Sequence, residues 1–314
     1  MSIAAVEPKP SSRLARGYLI CVTATVFWSF TGIFIRYLIE TYHLPPLVLA
    51  FWRDAFVALA LGLAFALFKP PRLRFERRHL GFLIFYGIEL SLFNSLWTIS
   101  VALNGAAVST VLAYSSAAFT AILGRLLLSE RLGPVKIAAV TLSLLGCVFV
   151  SGAYDPNVWR LNLLGVVTGL VSGIAFAGYS LLGKTAAKRA IDPWTTLMYA
   201  FGFAVPFIFV YDLMHAWLPA GVASTQLFWL GGVLTGWGVL VLLAIGPTIG
   251  GFGLYMVSLN YLPVSVANLI ATLEPMLTAI LAFILLNERF TSPQWLGSGL
   301  IIAGVVLLRL REET

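Results

Sequence analysis

The sequence predicts an all-α polytopic membrane protein whose ten transmembrane helices form two inverted five-helix repeats. Composition is the first reason: 60% of the 314 residues are hydrophobic and 11% are charged, against roughly 25% charged in a soluble domain. The second is an internal repeat. TAILGRLLLSER at Thr120–Arg131 returns as TAILAFILLNER at Thr278–Arg289, with eight of twelve positions identical. Upstream, at a slightly different offset, Arg36 and Pro45 match Lys184 and Pro193. The third reason is the side of the membrane on which the basic residues fall.

A helix needs about 20 apolar residues to cross a ~30 Å hydrocarbon core. In the first half such runs occupy 17–39, 46–68, 80–102, 106–128 and 134–152. The first run follows a polar, Pro- and Ser-containing stretch and lacks a small-residue cleavage site, so it is expected to stay as a span rather than leave as a signal peptide. The second half supplies 162–184, 194–213, a long segment within 228–260, then 264–286 and 293–309. Gly246-Pro247 and the glycines at 250, 251 and 253 divide the long segment into two short helices or leave one broken helix. Repeat register favours one broken helix with an interfacial start, giving five spans per half. The expected organisation is a cytoplasmic tail at 1–16, repeats at 17–152 and 162–309, and a second cytoplasmic tail at 310–314.

With the N-terminus in the cytoplasm, 16 of the 20 basic residues fall on the inner side, leaving only Arg36, Arg53, Arg160 and Arg289 outside. The positive-inside rule explains that asymmetry, and both termini are expected to be cytoplasmic. An eleven-span arrangement splits the charges almost as well, so the repeat decides the count. Because five is odd, the second half inserts upside down relative to the first, as alternating access uses. The net charge of +7 sits in short clusters between apolar runs. The bilayer is therefore the expected partner, and nucleic acid is not.

Chemistry motifs are absent. Cys21 and Cys147 lie inside apolar runs, which leaves no disulfide framework and no zinc site. His43, His79 and His215 are isolated, and HExxH, GxSxG and GxxxxGK[ST] do not occur. No enzyme activity, metal or cofactor is expected, and ATP-driven transport would need another chain.

Polar positions inside the spans are patterned. In the first helix Thr25, Ser29, Gly32 and Arg36 share a face bordered by Trp28. In the third, Tyr86, Glu89, Phe93, Trp97 and Ser100 fall in one arc, with Asn94 at its edge. The sixth repeats the style with Ser172, Phe176, Tyr179 and Gly183, and the eighth with Thr248, Phe252 and Tyr255. Such faces on corresponding helices suit a cavity for a small molecule with an apolar side chain. Plain packing is the alternative for any single residue. Gly165, Gly169 and Gly173 form a small-residue ladder, read as close helix packing.

A charge inside a span costs about 2.5 to 3.5 kcal/mol at the membrane centre and needs a reason. Arg36 and Lys184 are repeat equivalents near opposite faces, and Arg53-Asp54 lies near the outer face. Snorkelling accounts for all of them, with gating ion pairs such as Arg36 with Asp54 as the alternative. Glu89 and Glu274 are deeper. Either suits proton coupling, while Glu274, preceding Pro275, also suits backbone groups freed by the kink. Glu130-Arg131 and Glu288-Arg289 read as helix terminations.

The paired halves, WSFTGIFIR at Trp28–Arg36, Arg53 early in the second helix, and Glu274-Pro275 before LLNER resemble the drug/metabolite transporter superfamily, EamA type. The resemblance covers roughly residues 15 to 309. Within it the chain is similar to the YddG-type exporters of aromatic and other neutral amino acids. That implies a bacterial inner-membrane protein that exports metabolites.

On this reading Trp28, Tyr86, Trp97, Tyr179 and Tyr255 contact the substrate's apolar side chain. Ser29, Asn94, Asn268 and Thr272 offer polar contacts to its head group. Arg36, Asp54, Glu89, Lys184 and Glu274 serve gating or coupling. With no deep basic cluster, neutral zwitterions are favoured over anions, and a phosphate-ester exchanger or a membrane scaffold is disfavoured. The chain is expected to function as a monomer.

Overall fold

The computed structural model describes residues 10–157, 162–218, 220–286 and 291–312. Lys9, Arg160, Glu288 and Arg289, used in the charge count and the repeat, lie outside the described residues. Among the described residues all regular elements are helical. Nine are long and apolar enough to cross a membrane: Arg13–Tyr42, Pro46–Phe68, Arg77–Val101, Val108–Leu128, Leu163–Lys188, Pro193–Leu213, Leu234–Ser258, Val264–Leu281 and Ser292–Leu310. The shorter apolar helix Pro134–Val150 completes ten spans, numbered here in chain order. Leu59, Leu63, Leu67, Leu126, Leu127 and Leu310 point outward. Hydrocarbon makes that surface favourable where water would not.

Helical backbone extends over Leu80–Tyr114, which contains most of the third span and the start of the fourth. They are nevertheless separate. The Ser100 and Ser109 hydroxyls meet at 2.8 Å, whereas nine residues of straight helix would part their Cα atoms by about 13 Å. The chain therefore reverses between them.

The halves are inverted. Equivalent spans pack against each other, second on seventh, fourth on ninth and fifth on tenth, and each pair runs antiparallel. In the second and seventh, Phe51 meets Phe209 at 6.0 Å while Ala58 lies beside Gly202. In the fifth and tenth, Gly146 lies against Gly297 and Ile301, and Gly304 against Ala139 and Ser143. A Cβ built at Gly146 would stand 2.6 Å from the Gly297 carbonyl oxygen, so these backbones touch where only glycine fits. The glycine ladder on the sixth span behaves likewise, with Gly169 and Gly173 against Leu112.

Four spans are broken within their length. The first stops at Ser29 and restarts at Thr31. The Ser29 hydroxyl donates to Val26 O at 2.6 Å, competing with the ladder, and Thr278 donates to Ser29 O at 3.1 Å. The fourth breaks at Ser115, whose hydroxyl donates to Leu112 O at 2.5 Å. The eighth is one broken helix with a π turn at Ala244–Thr248. Pro247 has no N–H for Leu243 O, and the Thr248 hydroxyl supplies the missing bond at 2.9 Å. The ninth divides into Val264–Ala271 and Glu274–Leu286 ahead of Pro275. In hydrocarbon an orphaned carbonyl costs several kcal/mol, which is why hydroxyls accompany these breaks.

Candidate functional site

The breaks converge on one recess. Thr31, Tyr114, Thr248 and Glu274 each adjoin a break and line it. Trp28, Arg53, Phe93, Asn94, Trp97, Phe176 and Phe252 complete most of its wall, around a cavity of about 70 Å³ that opens at one side. The lining comes from the middle and later part of the first and third spans and the early part of the second and fourth. It therefore extends from the membrane centre toward the end opposite the N-terminus.

Its floor is aromatic. Trp28 meets Phe252 at 5.0 Å, Tyr255 at 5.1 Å and Phe176 at 5.9 Å. Phe176 stacks on Phe93 at 4.8 Å. Contacts of this kind contribute about 0.5–1.5 kcal/mol each and hold ring orientations. The indole lies directly on Gly251, where a Cβ would come within 2.3 Å of Trp28 Cδ1.

Its polar groups form two clusters. Arg53 Nε donates to Asp54 Oδ1 at 3.1 Å, and Asn94 Nδ2 donates to Asp54 Oδ2 at 2.8 Å. Both charged side chains are buried. On the ninth span the Glu274 carboxylate accepts a short hydrogen bond from the Tyr114 hydroxyl. Three buried polar atoms on lining residues have no partner: Trp28 Nε1, Thr31 Oγ1 and Arg53 Nη2.

The end carrying the N-terminus is closed. Glu130 accepts from Val264 N at 2.6 Å and from the Ser265 hydroxyl, and Lys136 donates to Ser265 Oγ at 2.8 Å. Lys184 Nζ donates to Leu259 O at 2.6 Å and Leu262 O at 2.7 Å, capping the eighth span. Arg72 pairs with Asp192 at 3.5 Å, and Tyr199 donates to Leu73 O at 2.6 Å.

Of the residues singled out in the sequence, Trp28, Arg53, Phe93, Asn94, Trp97, Phe176, Thr248, Phe252 and Glu274 line the recess, and Asp54 stands behind it through Asn94 and Arg53. Arg36 is exposed and Lys184 sits at the closed end, while the remainder pack into the bundle. Tyr255 donates to Ser180 Oγ at 2.8 Å, and Asn268 bridges Ser180 and Ser116 at 3.2 and 2.9 Å. Tyr86 donates to Met256 Sδ at 3.1 Å and packs on Tyr179 at 4.9 Å. Ser29 and Thr272 spend their hydroxyls on backbone carbonyls. Glu89 lies against Gly178 on the sixth span.

Three expectations change. Asp54 pairs with Arg53 and Asn94 rather than Arg36, which is exposed and pairs with Glu40 at 2.9 Å. Arg53 does not snorkel; it is 3% exposed because Asp54 neutralises it in place. Glu274 bonds Tyr114 rather than kink-freed backbone. Thr31, Thr110 and Tyr114 line the recess without having been foreseen. The fourth span did carry a signal, Thr110 and Tyr114 one helical turn apart. Thr31 did not, because at 100° per residue it lies about 130° from the centre of the Ser29 stripe.

Comparison with known proteins places this architecture. The EamA-like transporter family matches residues 15–152 and 163–310, one copy per half. The threonine/homoserine exporter RhtA of Escherichia coli (strain K12) is 30% identical over 263 residues, covering 82% of this chain and 81% of that protein. A probable amino-acid metabolite efflux pump of the same strain is 25% identical over 297 residues, covering 92% and 93%. A solved crystal structure shares the fold with a TM-score of 0.76 at 19% identity, covering 96% of this chain and 99% of that one. The chain belongs to the EamA-like transporter family: it is a multi-pass membrane transporter of the drug/metabolite superfamily acting on a small molecule, and not an enzyme.

Proposed function

We propose that this chain exports neutral amino acids, small and aromatic, across the bacterial inner membrane by alternating access. The observation that carries this reading is the pairing of opposite charges in one aromatic recess, with Arg53 on one wall and Glu274 on another. A zwitterion matches both, and Phe93, Trp97, Phe176 and Phe252 offer apolar contact to its side chain. The name of the RhtA relative supports amino-acid cargo. A phosphate dianion fits less well, because Asp54 already neutralises Arg53 and Glu274 would repel it. With both termini cytoplasmic, the recess faces outward and the seal around Glu130 faces the cytoplasm. Rocking of the inverted halves would exchange the two. The chain acts as a monomer, with the site wholly within one chain.

Counterflow into liposomes holding the purified chain tests this, using labelled threonine and phenylalanine against a panel of unlabelled amino acids. Both labels are expected to accumulate. Trp97→Ala should weaken phenylalanine transport more than threonine transport, since it removes side-chain contact alone. Absence of counterflow with every amino acid would remove the reading.

A further inference from the structure

Resting on that reading, we infer that Arg53 and Thr31 form the subsite for the substrate's carboxylate, with Glu274 opposite as the partner of its ammonium group. The inference starts from hydrogen bonds that the protein leaves unmade. Buried donors are normally paired, and an orphan in a site calls for an occupant. Arg53 spends its Nε on Asp54, yet its Nη2 is buried and unpartnered. Thr31 Oγ1 is buried and unpartnered on the same recess, as is Trp28 Nε1. All three can donate, which is what a carboxylate accepts.

The far side of the guanidinium is locked. Asp54 holds Nε at 3.1 Å, and Asn94 holds the other oxygen of Asp54 at 2.8 Å. The fork is thereby fixed with one edge free, and its charge is balanced without the ligand. A lone carboxylate would satisfy Arg53 but leave Glu274 without a cation. A lone amine would satisfy Glu274 but leave the Arg53 edge bare. Only a molecule carrying both groups completes the recess, and a site built to bond a group rejects the analogue that lacks it.

Scintillation-proximity binding to the full chain in nanodiscs tests the assignment, with labelled phenylalanine displaced by phenylalanine, 2-phenylethylamine or 3-phenylpropionate. The parent is expected to prefer phenylalanine over 2-phenylethylamine by at least about a hundredfold. Arg53→Gln should collapse that preference to within a few-fold, by loss of phenylalanine affinity alone. Thr31→Val should reduce it by about tenfold. Because Arg53→Gln leaves Asp54 buried without its partner, the double variant Arg53→Gln/Asp54→Asn removes both charges and should collapse the preference equally. A preference retained in the folded double variant, or in Thr31→Val together with Arg53→Gln, overturns the subsite while leaving amino-acid transport standing. A parent that binds no phenylalanine and no threonine overturns both.

Discussion

The two ends of this molecule treat polar groups in opposite ways. At the end carrying the N-terminus, Glu130 and Lys136 are bound across the seam between the halves, and Lys184 is bound within the second half to the end of the eighth span. Around the recess, Trp28, Thr31 and Arg53 keep buried donors unpaired. The fold is the same inverted repeat on both sides, so symmetry does not account for the contrast. A satisfied end is a closed gate whose strength lies in its own bonds. An unsatisfied one is a site whose missing bonds belong to a ligand. Substitutions should therefore change conformational balance at the first end and affinity at the second.

The largest effect is expected at the seal. Glu130→Gln removes the charge from hydrogen bonds to Val264 N and the Ser265 hydroxyl. Charge-assisted bonds contribute about 1.5–3 kcal/mol, so the opening equilibrium should shift by roughly a hundredfold. A cysteine placed at Ser180, between recess and seal, should react much faster with a thiol reagent supplied from the N-terminal side. An unchanged labelling rate would mean that the seal is held elsewhere.

Next comes the carboxylate wall. Glu274→Gln keeps the shape and the Tyr114 contact but loses the negative charge. Affinity for neutral amino acids should fall by about tenfold or more, while affinity for the deaminated acid should rise relative to the parent. Equal losses for both ligands would assign Glu274 to structure alone.

A smaller effect is expected from Gly251→Ala. Its Cβ would come within 2.3 Å of the Trp28 ring and push the indole into the recess. Overpacking of this kind costs about 1–3 kcal/mol, so binding should weaken about tenfold in a protein that still folds. Tryptophan fluorescence and binding isotherms on one preparation separate the two outcomes.

The smallest effect belongs to Tyr179→Phe. The Tyr179 hydroxyl is buried and unpartnered but lies outside the lining of the recess. Removing it should leave transport unchanged and thermal stability equal or slightly higher, by up to about 1 kcal/mol. A transport defect would extend the site one layer deeper, to the tyrosines of the third and sixth spans.

These outcomes bear on what was legible in the sequence. The spans and the repeat were readable because apolar length and internal identity are one-dimensional signals, and the broken eighth span announced itself through Gly246-Pro247. The recess was only half readable. Helical periodicity selected Trp28, Asn94 and Trp97 correctly as facing inward, but it selected Tyr86, Tyr179 and Tyr255 by the same rule. All six face the bundle, and depth along the axis decides which reach the recess. Periodicity carries no depth. Thr31 lies off the polar stripe of the first span at any straight-helix phase, which hid it. Arg53 was misjudged for another reason, since a charge near a span's end reads as snorkelling until its neutralising partner is located in space.

The measurement that tests the central claim most directly is amino-acid counterflow in liposomes holding the parent chain or Glu274→Gln at matched density. Vesicles preloaded with unlabelled threonine should accumulate labelled threonine and labelled phenylalanine with the parent, and at least about tenfold more slowly with Glu274→Gln at low substrate. Accumulation that is equal in both preparations, or absent in both across all amino acids, would contradict a zwitterion path through this recess.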